Sequence, residues 1–266
     1  MIAASLLAFA VVAPLGAGYD PTPEAKNDVM YGDAVTVGKG TARSYIVMDG
    51  DKPAEIGVAL SEQALQGLPA HGGHGAHGPM VEYLLTLPAK NPTPYRFVEL
   101  DWNPEGHEPK TIYTVPHFDF HFYTIPVEER NAIDQSNAKY AASARNIPAP
   151  EYMPAGYLSA AKAGNVSEEL ASVPRMGLHW VDPTSPELNG KPFTTTFIYG
   201  TWNGKLIFGE PMLTRAFLLS KPDFRAKVPV PQKATVAGLY ASEYRVFWNA
   251  EAKEYRVALT GLTELK

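Results

Sequence analysis

The segment Pro116–Tyr123 (PHFDFHFY) constrains the fold of this chain more than any other. Side chains of a β-strand point alternately to its two faces. A strand here therefore places His117, Asp119, His121 and Tyr123 on one face and three phenylalanines on the other. We expect one face to pack into a core and the other to carry groups capable of metal or acid–base chemistry.

Composition limits both the fold and the function. The chain has 266 residues, enough for one large β-rich domain or two small ones. Its 24 prolines and 22 glycines favour turns and loops over long helices. The net charge of −5 provides no basic field for nucleic acid, and the absence of cysteine excludes disulfides and thiolate metal sites.

The first residues predict export. Residues 1–18 contain an uncharged apolar run that ends in small residues, as in the apolar and cleavage regions of a secretory signal peptide. The run is short for a membrane span and contains Pro14, so we expect cleavage and a periplasmic or extracellular protein with no stable membrane span. A retained anchor or a buried core segment is the alternative. Residues 19–31 are predicted to be a linker, and residues 32–266 a β-rich domain.

The remaining pattern predicts a mainly β fold, as a single sandwich or barrel with one substantial helix and short helical turns. Short alternating segments recur between turn signals, and Asn203-Gly204 predicts a tight hairpin. The substantial helix is expected at Val127–Asn146, which has acidic residues near its start and Arg145 near its end. No repeat or domain boundary is evident.

Outside the segment His71–His77, histidines recur, with one glutamate, on otherwise apolar strands. Imidazole and carboxylate ligands suit a divalent transition metal such as zinc, iron or manganese, and a catalytic site leaves one position open. His107, in a turn, is interpreted as structural or exposed, and Asp119 as a supporting acid or base. The predicted metal ligands are His117, His121, His179 and Glu210.

Strand geometry limits this prediction. Residues i and i+4 of a straight strand lie about 13 Å apart at Cα, so His117 and His121 can share one ion only if the strand bends or bulges near Asp119. Otherwise one of them binds with Asp119. The alternative is a face of hydrogen-bonded polar residues in which Asp119 orients an imidazole without a metal.

Six stretches of the sequence carry a resemblance to a known family: 56–60, 67–69, 101–109, 116–123, 176–180 and 208–212. They resemble a family of exported bacterial proteins classed only as a domain of unknown function. The resemblance implies export and a β-rich fold, covers most of the chain after Gly32, and brings no activity. Metal-binding cupins are more weakly similar, since they also draw histidines and a glutamate from strands, but the paired histidines here are four apart rather than two.

The leading hypothesis is therefore an exported protein with a His/Glu metal site in a β-rich pocket, and the sequence leaves open whether it is an enzyme. If catalytic, it would perform metal-assisted hydrolysis or oxygen chemistry on a small molecule. The alternative is a non-enzymatic envelope module whose polar face lines a pocket for a small-molecule ligand or a homo-oligomer contact. The histidine-rich loop His71–His77 is either a flexible surface loop or a metal-scavenging segment or lid.

Overall fold

The computed structural model describes residues 28–73 and 80–266. Within these ranges the chain is mainly β and forms two antiparallel sheets with a few short helices, which confirms the predicted fold class. The sheets do not close into a barrel and are consistent with a β-sandwich. The predicted signal peptide, most of the predicted linker and residues 74–77 of the histidine-rich loop lie outside the described ranges.

The first sheet has seven strands with the order β1-β3-β4-β15-β14-β13, and β2 pairs with β3. Its strands, in chain order, are β1 (Asp28–Tyr31), β2 (Val35–Val37), β3 (Gly40–Asp49), β4 (Lys52–Ser61), β13 (Asp223–Lys227), β14 (Gly238–Asn249) and β15 (Glu254–Leu265).

The second sheet has eight strands with the order β5-β6-β7-β12-β11-β10-β8, and β9 pairs with β10. Its central strands β7 and β12 lie far apart in the chain, so residues from both halves meet on its faces. Its strands are β5 (Val81–Thr86), β6 (Phe97–Asn103), β7 (His117–Tyr123), β8 (Leu158–Ser159), β9 (Ser172–Val173), β10 (Gly177–Val181), β11 (Thr195–Trp202) and β12 (Lys205–Thr214).

The main core contains side chains from both sheets. Phe118, Phe120 and Phe122 of β7 are fully buried there, together with aliphatic residues of β4 and β15. Since these phenylalanines occupy the inner face of the second sheet, the alternation of β7 turns its histidines and Asp119 to the outer face. The predicted division of this strand into two faces is confirmed.

Turn chemistry fixes the hairpin that brings the later site residues into place. Asn203 and Gly204 have φ values of +46° and +79° and join β11 to β12. Positive φ at both central residues gives a turn whose twist matches that of the flanking strands. The hairpin predicted at Asn203-Gly204 is therefore confirmed, and it aligns Glu210 with Ile198 across the pair.

The predicted helix at Val127–Asn146 is wrong as a single element. The segment contains α1 (Val127–Asn131) and α2 (Tyr140–Arg145), separated by turns. The Asp134 carboxylate accepts from the Ser136 amide and hydroxyl, and the side-chain Oδ1 of Asn137 accepts from the backbone amide of Lys139. Asp and Asn side chains that bond to local amides in this way compete with the helical ladder.

The other helices are also short: α3 (Ala160–Gly164), α4 (Glu168–Ala171) and α5 (Arg215–Leu219), with 3₁₀ turns at Glu62–Leu65, Pro150–Tyr152 and Glu187–Asn189. Residues 28–31, expected to end a linker, instead pair with β3 as strand β1. Among the described residues, no helix has the length and apolar character needed to cross a membrane.

Candidate metal centre

The outer face of the second sheet carries a row of buried polar side chains, here named the polar layer. On β6 and β7 the register places Glu99 opposite His121, Asp101 opposite Asp119, and Asn103 opposite His117. All of them are at least 97% buried. The layer consists of these six residues with Glu210 from β12, and His107 and His179 lie at its margins.

Apolar side chains and loop segments cover the polar layer on the side away from the main core. One cluster stacks Phe97, Tyr123 and Phe208 beneath residues of the 125–140 segment, and the other joins Tyr113 and Phe193 to β11 and β12. The sheet is therefore packed on both faces, and its polar row lies in a low-dielectric environment, where unpaired charge is costly.

Three strands each supply one residue to the first candidate site, the three-strand group, which consists of His121 (β7), His179 (β10) and Glu210 (β12). Glu210 Oε2 lies 3.3 Å from His121 Nε2 and 3.9 Å from His179 Nε2. A tetrahedral ion with bonds of about 2.1 Å separates its ligand atoms by about 3.4 Å. The spacing of the three side chains therefore matches one ion between them.

Gly200 shapes the wall of this group. It lies opposite His179 in the pairing of β10 with β11, and opposite Phe208 on the other side. A Cβ at this position would overlap the Phe208 ring, so glycine is what allows the ring to lie against the sheet. The ring then packs edge-on against His121, with centroids 4.8 Å apart, and lies 5.6 Å from the His179 ring.

Two further carboxylates lie on the β6 side of His121. Asp101 Oδ2 is 3.4 Å from His121 Nδ1, so the two imidazole nitrogens face different carboxylates.

Glu99, the second of these carboxylates, is bound by the buried guanidinium of Arg130, from α1. Arg130 is 2% exposed and lies 3.6 Å from Glu82, which also binds Arg175 at 2.6 Å. Glu99, Asp101 and His121 also have the spacing of a metal-binding set.

A second set, the loop group, combines His107 from the segment between β6 and β7 with His117 and Asp119 of β7. Asp119 Oδ1 lies 3.3 Å from His117 Nε2, and Asp119 Oδ2 lies 3.4 Å from His107 Nε2. The Asn103 amide donates to Asp119 Oδ2 at 2.7 Å. This group is the part of the polar layer nearest the 104–116 segment.

Buried polar atoms in both groups lack partners. Within the residues that the structure describes, no hydrogen-bond partner is present for His121 Nδ1, Glu210 Oε2, or either oxygen of Asp101. The same holds for His117 Nε2 and Asp119 Oδ1. Buried polar atoms are normally hydrogen-bonded, because an unpaired one costs roughly 1–3 kcal/mol. A ligand, ion or proton is needed to satisfy them.

In the metal-free form, protonation of the histidines partly balances the buried carboxylates. Burial lowers the pKa of His121, but the charges of Glu210 and Asp101 outweigh this and raise the pKa to about 10. Burial likewise lowers the pKa of His107, and Asp119 raises it to about 9. Burial and the charge of Glu99 raise the pKa of Asp101 well above its usual range. The protons that the histidines hold are those that a metal would displace.

The predicted ligands do not all meet at one point. Three of them, His121, His179 and Glu210, form the three-strand group, whereas His117 belongs to the loop group with Asp119. The register of β7 with β6 is continuous from His117 to Tyr123, so the bulge required for His117 and His121 to share an ion is absent. The straight strand thus separates the two histidines.

Sequence reasoning missed several members of the layer. Glu99 and Asp101 were not identified, and His107, expected to be structural or exposed, lies against Asp119. A usable signal was present in β6, where Glu99, Asp101 and Asn103 alternate with Val98, Leu100 and Trp102. This is the same period-two pattern as in β7.

Comparison with known proteins adds a partial match. The family model TTHB210-like, described as hypothetical protein TTHB210, matches residues 49–102. That family has no established function, and the matched span is less than half of the chain. It includes Glu99 and Asp101 but not the His117–Tyr123 strand, His179 or Glu210. No curated protein and no solved structure shows a significant match.

Proposed function

We propose that this is an exported protein that binds one divalent transition metal ion in the three-strand group. The main support is the position of Glu210 Oε2, which lies 3.3 Å from His121 Nε2 and 3.9 Å from His179 Nε2. This oxygen is buried and has no hydrogen-bond partner among the described residues. Two imidazoles and one carboxylate suit zinc, iron or manganese.

The surroundings of His121 support this proposal. With Nε2 directed at the ion, Nδ1 carries the proton and faces Asp101 Oδ2 at 3.4 Å. Ligand histidines usually have such a carboxylate or carbonyl behind them, which fixes the tautomer and raises ligand basicity. The charge of Glu210 also favours a cation at this point, whereas the charge of Glu99 is neutralised by Arg130.

Access distinguishes a catalytic from a purely structural ion. His121 and Glu210 are 1% and 2% exposed, and the His179 side chain is 17% exposed. Three protein ligands leave at least one coordination position of the ion open. Because His179 is the most exposed of the three ligands, solvent would reach this open position from the side of His179. An ion bound there would polarise a small molecule or activate a water, as in metal-assisted hydrolysis or oxygen chemistry.

A second candidate function is favoured by the depth of the polar layer. The covering segments leave Asp101, His121 and Glu210 almost inaccessible, and this arrangement also suits a non-enzymatic envelope or ligand-binding module whose histidines are structural. The response to a chelator distinguishes the two functions. In the module, the histidines pair with neighbouring carboxylates and carbonyls, so a chelator leaves the melting temperature unchanged, whereas it lowers the melting temperature of a metal-binding protein.

Metal analysis tests the site directly. Purified protein, stripped with EDTA and reloaded with Zn²⁺, is measured by elemental analysis and titration calorimetry. Removing one of three ligands in His179→Ala or Glu210→Gln should weaken binding of that ion at least tenfold, whereas His71→Ala, at an exposed histidine outside the layer, should bind like wild type. Equal affinity in wild type and His179→Ala would refute the site.

Export is tested separately from metal binding. The apolar run in residues 1–18 supports cleavage and secretion. Full-length protein expressed in a bacterial host should reach the periplasm or medium with a new N-terminus near residue 18, as read by mass spectrometry. An intact N-terminus on protein confined to the cytosol would contradict export.

A further inference from the structure

We propose that the loop group is a second, independent metal site. His107, His117 and Asp119 would bind one divalent transition metal ion whose role is to fasten the segment between β6 and β7 to the polar layer. This site does not require the three-strand group to be loaded, so the two sites can be tested separately. Its ligand set differs from that predicted by the sequence, since it unites His107 with His117 and excludes His121 and Glu210.

Both imidazoles of the loop group are held in the tautomer that metal binding requires. His117 Nδ1 lies 2.7 Å from the Val115 carbonyl oxygen, and His107 Nδ1 lies 2.6 Å from the Glu108 carbonyl oxygen. A carbonyl can only accept a hydrogen bond, so each Nδ1 carries a proton and donates it. In the neutral ring, Nε2 is then the atom with the free lone pair, and both Nε2 atoms face Asp119.

The carboxylate is oriented from behind as well. Asn103 donates its amide to Asp119 Oδ2 at 2.7 Å, on the strand that pairs with β7. Each of the three ligands therefore has a hydrogen-bond partner that is not itself a ligand, as is usual around metal ions. Such a complete outer set indicates that the positions of the three ligands are fixed before an ion arrives.

Two of the atoms that face the centre of the loop group have no hydrogen-bond partner among the described residues. His117 is fully buried and Asp119 is 3% exposed, yet His117 Nε2 and Asp119 Oδ1 have no hydrogen-bond partner among the described residues. With neutral imidazoles, lone pairs would face carboxylate lone pairs across 3.3 and 3.4 Å. These separations are close to the ligand spacing of about 3.4 Å around a tetrahedral ion.

The two sites are expected to hold separate ions. Asp119 and His121 are two residues apart on a straight strand, so their Cα atoms lie about 7 Å from each other. Two metal ions that act together on one substrate are about 3.5–4 Å apart, which is less than this Cα separation. Loss of one ion should therefore leave the other bound.

An ion in the loop group would act on the loop rather than on a substrate. His107 lies within the 104–116 segment and His117 at its end, so a shared ion joins the segment to β7. Lys110 lies between them with its side chain 83% exposed, which makes it a natural trypsin site. Binding should slow cleavage after Lys110, because a protease needs the segment to open locally.

Native mass spectrometry and proteolysis test this inference together. With Zn²⁺, the wild type and the control His71→Ala should bind two ions, and His107→Ala and His179→Ala one each. His107 is the most exposed of the loop ligands, so its replacement should not prevent folding. Zn²⁺ should slow trypsin cleavage after Lys110 at least several-fold in wild type and His179→Ala, but not in His107→Ala.

The outcomes separate the two proposals. If His107→Ala loses one ion and the protection of Lys110 while His179→Ala binds like wild type, the loop site stands and the three-strand site fails. If His107→Ala keeps both ions, or Zn²⁺ leaves cleavage of the wild type unchanged, the loop site is wrong. In that case the histidines face Asp119 as protonated, ion-paired groups.

Discussion

Arg130→Met should be among the most destabilising substitutions in the polar layer. Arg130 is 2% exposed and binds Glu99, which is fully inaccessible to solvent. Methionine keeps much of the apolar volume but leaves the carboxylate without its main cation. Breaking a buried ion pair by removing one partner costs about 3–5 kcal/mol, because the remaining charge is uncompensated. For a domain of this size, the melting temperature should fall by roughly 6–20 °C.

The loss should be reversible by a second change. Without the guanidinium, the Glu99 carboxylate stays buried with its charge uncompensated. Glu99→Gln removes the charge and should restore much of the stability in the double variant. Loss of the 3.6 Å contact between Arg130 and Glu82 should contribute little, because the Glu82 side chain is 24% exposed and also binds Arg175.

Urea unfolding of EDTA-treated protein, followed by tryptophan fluorescence, measures these free energies without a contribution from metal. Arg145→Met is the matched control, since Arg145 pairs with Glu169 at 2.7 Å but both side chains are largely exposed. Such surface pairs contribute about 0–1 kcal/mol. A loss below about 1 kcal/mol in Arg130→Met, or a double variant no more stable than the single one, would refute this account of the pair.

Two further predictions concern packing and pH. Gly200→Ala should lower the free energy of unfolding by about 1–3 kcal/mol, because the new methyl group overlaps the Phe208 ring. The control Gly164→Ala, where the nearest side-chain atom lies 3.7 Å away, should be close to neutral in chemical unfolding. Equal effects of the two substitutions would argue against the overlap. Burial raises the pKa of Glu55, whose carboxyl group accepts a hydrogen bond from the Tyr45 hydroxyl. The folded protein therefore holds this proton more tightly than the unfolded chain, in which a glutamate has a pKa of about 4. Wild type should consequently lose stability relative to Glu55→Gln as the pH rises above about 4. A difference that does not vary with pH between 4 and 7 would contradict this.

Local patterns were sufficient to predict much of the fold. The alternation of β7 predicted its two faces because burial of the phenylalanines leaves one orientation for the remaining side chains. The hairpin at Asn203-Gly204 followed from the φ angles that this dipeptide tolerates. The long helix failed because its composition is helical on average, whereas Asp134 and Asn137 bind nearby amides and interrupt it.

The membership of the candidate site depended on strand order, which the sequence does not show. His121 and Glu210 meet because β12 pairs with β7, and Asp101 joins them because β6 lies on the other side. No local signal indicates that strands nearly ninety residues apart are neighbours. Arg130 was equally hidden: it lies in a charged, helix-like stretch, and only its packing against Glu99 shows that it is buried.

The spacing of the ligands along the chain implies an order in which the two groups can assemble. His107 and Asp119 are twelve residues apart, whereas His121 and Glu210 are 89 apart. Closing the longer loop costs about 2 kcal/mol more in chain entropy. The loop group can therefore come together as soon as β6 and β7 pair, even on a nascent chain that has not yet added β10 and β12. The three-strand group must wait for the C-terminal half.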